Sequence, residues 1–129
     1  MGIEQFSGPI RVEWCDDGSD DMILLETCYF LDSKGVLWVA PKGRRINGAS
    51  IPRVLWSLVG SPYTGNGRRA SVFHDCGYED KYHSREETDL MYLEAMLADG
   101  VDPEEASRNY NAVRTFGGRH WRRTSKASK

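Results

Sequence analysis

Six consecutive residues, Phe73-His-Asp-Cys-Gly-Tyr78, bring an imidazole, a carboxylate, a thiol and a phenol together in under two helical turns. On a helix, Ala70, Phe73, His74, Gly77 and Tyr78 share one face. That face is otherwise apolar, so His74 is expected to point at the core, with Asp75 at its side. Gly77 costs about 1 kcal/mol in a helix interior, a cost that a close approach of another backbone would explain. Further on, Asp89 heads a second apolar stripe with Tyr92, Leu93 and Met96. A buried carboxylate needs a partner, and His74 is the nearest candidate if the two helices pack antiparallel across their short link. An Asp that fixes the tautomer of a His leaves the other ring nitrogen to act as a base toward water or a hydroxyl, with Tyr78 close by. The same contact would also satisfy a purely structural polar pair. In a third arrangement Asp75, helped by loop carbonyls, would hold Ca2+ or another hard divalent cation. The residues alone leave all three open.

Two further segments carry charge where it could bind something. Arg44-Arg-Ile-Asn-Gly-Ala-Ser50 joins a strand to a helix start. Free N–H groups there, with Arg44, Arg45, Asn47 and Ser50, form a candidate anion site, or else a tight turn feeding a capped helix. From Arg114 onward there are six Lys/Arg residues and no acid, and Trp121 lies among Arg119, His120, Arg122 and Arg123. Such a basic-aromatic end can touch nucleic-acid phosphates or lipid headgroups. It can equally be a solvated terminus.

The elements that must position these groups are strands first and helices after. Residues 8–45 read as β structure. Pro9 to Trp14 alternates apolar and polar residues, Met22 to Leu31 forms one longer apolar run, and Val36 to Val39 returns after the Asp32-Ser-Lys-Gly35 hairpin. Residues 50–118 read as helical. Ser50-Ile-Pro52 starts a helix that ends near Gly60, and a second helix covers Arg68 to about Lys81. A third is opened by the Ser84-Arg-Glu-Glu87 capping box and runs to Asp99. A fourth runs from Asp102-Pro103 to Gly117-Gly118. Residues 119–129 read as a loose basic tail. The expected architecture is α+β: a small antiparallel N-terminal sheet packed on a cluster of about four helices in a single domain.

Composition bounds the rest. The 129 residues include 40% hydrophobic and 28% charged residues at a net charge of −2, which suits an ordinary globular chain and gives no bulk attraction to nucleic acid. Cys15, Cys28 and Cys76 lack the spacing of a zinc site or a disulfide framework. No signal peptide and no span of about 20 apolar residues is read, so a cytoplasm, or a particle assembled in one, is the expected location.

Taken in order, Asn47-Gly-Ala-Ser-Ile-Pro52, His74-Asp75, Ser84-Arg85 with Asp89, and Val113-Arg114 with Phe116-Gly-Gly118 resemble the phage and prophage family called domain of unknown function 1353. The resemblance runs from the strands to about Trp121. It implies a phage or prophage protein, placed in the host bacterial cytoplasm or the virion, and partners among other phage proteins or a host protein. It implies no reaction. A shorter stretch, His74-Asp75-x-x-Tyr78, is similar to the His-Asp-x-x-Tyr helix of phospholipase A2. That likeness implies a hydrolase-like centre with His74 as the base, Asp75 on calcium, Asp89 orienting the His, and Tyr78 supporting the pair. The disulfide frame and glycine-rich calcium loop of that family are absent from the sequence. A non-enzymatic virion, tail-assembly or host-factor-binding protein is the alternative.

Overall fold

A computed structural model describes residues 5–19, 21–47 and 67–127, with side chains to residue 122. Its architecture is α+β, with five short strands preceding the described helices. The expected helix from Ser50 lies outside the described residues, as does Ser50 itself.

Strands β1 (Val12–Trp14), β2 (Met22–Leu24) and β5 (Arg45–Ile46) form one antiparallel sheet in the order β1-β2-β5. Strands β3 (Cys28–Leu31) and β4 (Leu37–Ala40) form a separate hairpin in which Phe30 faces Trp38. The single apolar run expected from Met22 to Leu31 is thus two strands in two sheets. Met22, Leu24, Cys28 and Phe30 are all buried, so the inward pattern continues through the break. The pairing does not continue. Leu24 exchanges hydrogen bonds with Arg44 and Gly43, while Cys28 pairs with Ala40, so one strand would need the Pro41–Gly43 corner to be straight. The same corner makes β5 a strand where the sequence suggested only a loop. The hairpin turn is built as expected: the Asp32 carboxylate accepts from the N–H groups of Lys34 and Val36 and from Trp38 Nε1.

Helix α1 spans Arg68–Asp80 and stops at Lys81, whose backbone is left-handed. Helix α2, Arg85–Ala98, starts on the predicted capping box: Ser84 Oγ accepts from Glu87 N at 3.0 Å, and Glu87 Oε1 accepts from Ser84 N at 2.9 Å. Asp102 caps α3, Pro103–Phe116, and Glu104 and Glu105 lie in its first turn, where acids complement the helix dipole. Residues 118–127 are not a loose tail. They form helix α4, Gly118–Ala127, which is seated on α1 through Tyr78: Trp121 meets the phenol ring edge-on at 5.0 Å and His120 stacks on it at 5.9 Å.

The core lies where α1 meets both the sheets and the helices. Phe6, Phe30 and Phe73 form an aromatic triangle with centroids 4.8 to 6.1 Å apart. Gly77 faces the buried Thr88 of α2 and Trp38 of β4. A methyl carbon there would lie 2.7 Å from Thr88 Cγ2. The glycine therefore accommodates a close side chain, not the backbone that the sequence suggested.

Candidate active site

Helices α1 and α2 run side by side across the short link at Lys81 to Ser84, which sets the His74 and Asp89 stripes against each other. Neither side chain is exposed to any degree (0% each). His74 Nε2 lies 2.7 Å from Asp89 Oδ1, and Tyr78 donates to that same oxygen at 2.8 Å. The other oxygen, Oδ2, accepts from Arg114 Nη1 of α3 at 2.7 Å and has Arg85 Nε 3.8 Å away. Arg85 also donates to Tyr78 Oη at 3.1 Å and, through Nη2, to the last carbonyls of α3 at Val113 and Arg114. One buried carboxylate thus ties three helices together.

Burial alone would raise the Asp89 carboxyl. The hydrogen bonds from His74, Arg114 and Tyr78, with the field of His74, outweigh it and hold the group below the usual carboxylate range. Asp89 is therefore an ionised acceptor, so Nε2 of His74 carries a proton and donates to it; a neutral ring then has its lone pair on Nδ1. The ring is flanked by Tyr78 and Tyr92, at centroid distances of 4.4 and 4.5 Å. Both phenols are pushed upward, Tyr92 to about 12, by burial first, so both stay protonated at neutral pH. Nδ1 of His74 has no hydrogen-bond partner among the described residues.

The arrangement brings together His74, Tyr78 and Asp89 as the sequence suggested. Asp75 is buried at 6% exposure beside His74 on α1. At the segment expected as an anion site, both guanidiniums are held by carboxylates of the fold, and Ser50 lies outside the described residues. Arg44 pairs with Glu79 and Asp80 at the end of α1, and Arg45 pairs with Asp17 at 2.7 Å and Asp21 at 2.6 Å. Asn47 is exposed just beyond β5. Two members of the buried network, Arg85 and Arg114, were not singled out as site residues. Arg85 was legible as an i, i+4 ion partner of Asp89, but Arg114 comes from a third helix and carries no local signal. Gly117 has its reason here too. A methyl carbon at that position would lie 2.7 Å from Tyr78 Oη, so only glycine lets α3 close over the phenol.

No helix among the described residues is long and apolar enough to cross a membrane. No solved structure matches the chain. Two relatives come from Sinorhizobium fredii (strain NBRC 101917 / NGR234). The uncharacterized protein y4jT is 40% identical over 88 residues, 68% of this chain and 26% of that protein. The uncharacterized protein y4iH is 36% identical over 90 residues, 70% of this chain and 38% of that protein. The chain therefore spans less than two fifths of the length of either relative. The matching family model covers residues 22–113, which hold β2 through Val113 and so His74, Tyr78, Arg85 and Asp89, and the chain belongs to the protein family of unknown function DUF1353.

Proposed function

We propose that this chain is a small hydrolase of phage or prophage origin in which Nδ1 of His74 is the general base. The carrying observation is the asymmetry of the ring: Nε2 is held by Asp89, while Nδ1 is buried without a partner among the described residues. Leaving a buried polar atom unsatisfied costs about 1–3 kcal/mol, so a brace that needed only a donor toward Asp89 would gain nothing from the second nitrogen. In the reaction, Nδ1 takes a proton from water as its oxygen attacks an ester, amide or phosphodiester centre. Asp89 offsets the positive charge that develops on the ring. The imidazolium then returns the proton to the leaving group. Tyr78 and Arg114 fix the carboxylate, so the ring needs no reorientation during the cycle.

The same reading gives Asp75 the role of carboxylate ligand to Ca2+ or another divalent cation. Among the described residues no group of three or more His, Cys, Asp or Glu side chains converges. Carbonyl and water oxygens would complete the set, as hard cations accept. Bound there, the ion would polarise a substrate oxygen.

A second reading has its own support. His74 is fully enclosed and Asp89 receives donors from both α1 and α3, which is how a structural brace of a non-enzymatic assembly protein would be built. His74→Gln separates the two, because the glutamine amide can donate to Asp89 while offering no base. Wild-type protein, assayed with Ca2+ on p-nitrophenyl ester, anilide and phosphodiester substrates, is expected to turn over at least one of them. His74→Gln is expected to fold with a similar urea midpoint and no turnover. Absence of turnover by folded wild-type protein on all three classes, or retained turnover in His74→Gln, overturns the hydrolase reading.

A further inference from the structure

We propose that Arg85 and Arg122, converging over Gly118, form a binding site for a phosphate-monoester anion. A carbon built at Gly118 would lie 3.3 Å from Arg122 Nη1, 3.6 Å from Arg85 Nη1 and 3.7 Å from Arg85 Cζ. Two guanidinium ends therefore face one point, with only a glycine beneath it. Arg85 is mostly buried, and its other nitrogens are committed: Nε to Tyr78, and Nη2 to the carbonyls of Val113 and Arg114. Those bonds fix its plane, and Nη1, near Gly118, has no acceptor among the described residues. The Arg122 guanidinium has none there either. No carboxylate of a described residue pairs with either Nη1. Two like charges held this close repel, and an anion placed between them removes the repulsion while accepting from both.

The geometry favours a phosphate monoester over a carboxylate. Arg85 is immobilised and offers one edge, Arg122 reaches in from α4, and the acceptor must meet donors from two directions. A tetrahedral group with three terminal oxygens does this more readily than a planar one with two. Gly118 also opens the first turn of α4, where leading N–H groups lack intrahelical acceptors, but the site rests on the guanidinium pair. None of this depends on His74 acting as a base. Arg85 does touch Tyr78, which shares an oxygen of Asp89 with His74, so an anion here would bear on that network as well.

The test uses full-length protein and inorganic phosphate, with sodium chloride at matched ionic strength as the reference. The expected result is saturable binding at millimolar phosphate, read as a rise in Tm and as a shift of the Arg85 Nε–H resonance. Arg122→Gln is expected to weaken binding at least tenfold. Gly118→Glu places a carboxylate between the two arginines, and is expected to abolish phosphate binding and to raise Tm without phosphate. Vesicles of phosphatidylcholine with phosphatidic acid identify the source of the group. Arg122-dependent binding to them assigns a lipid headgroup, and saturable binding of phosphate alone assigns a free ligand. A phosphate response no larger than that of chloride, or one unchanged in both Arg122→Gln and Gly118→Glu, overturns the proposal. The readout is binding, so its failure leaves the hydrolase reading untouched, and the reverse also holds.

Discussion

Two regions of this molecule solve the same electrostatic problem in opposite settings. At the edge of the three-stranded sheet, Arg45 bridges Asp17 and Asp21 with short bonds in the open, the arginine side chain being 48% exposed. Between the helices, Asp89 collects His74, Tyr78 and Arg114 with bonds just as short and no exposure at all. Geometry alone would rank them as equals. Water decides otherwise. The surface cluster exchanges hydration for ion pairing at little net gain and is screened by salt. The buried carboxylate gave up its hydration completely, and the loss of any one donor leaves charge stranded in the core. Short distance measures contact, and only burial makes contact decisive.

Perturbing the two regions in parallel sharpens that contrast. The largest effect is expected from Asp89→Ala, which leaves Arg114, Tyr78 and His74 without their shared acceptor. A loss of about 3–5 kcal/mol is expected in urea unfolding, a large share of the about 5–15 kcal/mol that holds a typical domain. A destabilisation below about 1 kcal/mol would place the buried region in the surface class. Next comes Gly77→Ala, which pushes a methyl group into Thr88. Overpacking of about 1–3 kcal/mol is expected, less about 1 kcal/mol of regained helix propensity. Thr88→Ser removes the clashing methyl, and the hydroxyl that donates to Ser84 O is kept. The double variant should therefore recover most of the loss, and failure to recover would move the strain elsewhere.

The pH dependence follows from Asp89 being held below its ordinary value. Its contribution is fully present above the unfolded carboxylate pKa of about 3.9 and is lost as pH falls through the lower folded value. Acid unfolding below about pH 4 should therefore lose part of its steepness in Asp89→Asn. Asp17 is also held low, by Ser19 and Arg45, but at the surface, its side chain 46% exposed. Asp17→Asn is expected to leave the acid midpoint where it is. The smallest effect belongs to Arg45→Ala, for which no resolvable change in urea midpoint is expected, and still less at high salt. A clear loss there would break the comparison from the other side.

Local signals in the chain were read correctly where local physics rules. Ser84 with Glu87, Asp102 with Glu104, and the Asp32 hairpin all satisfy backbone groups within a few residues. The His74–Asp89 pairing was legible because two apolar stripes, each carrying one polar residue, must meet if their helices are neighbours. Non-local features were not. The break between β2 and β3 depends on which distant segment pairs with each strand. β5 is only two residues long and exists because β2 needs a partner. The basic residues of α4 suggested a frayed end, yet Trp121 and His120 dock on Tyr78, and a lone tryptophan among arginines gives no period to detect. Arg114 was invisible as a partner of Asp89 because the fold alone brings α3 to it. The ion pairs of Arg44 and Arg45 were not legible for a related reason: their carboxylate partners lie 35 and more residues ahead or well behind in the chain.

Asp89 also bears on how this molecule opens and closes. Its donors come from α1 and α3, 15 residues before it and 25 after it. No pair of these helices alone can fill the carboxylate, so detaching any one exposes an unmet charge in the other two. Amide hydrogen exchange should therefore show α1, α2 and α3 releasing their slowest protons in one concerted opening, while the β3–β4 hairpin exchanges on its own, faster schedule.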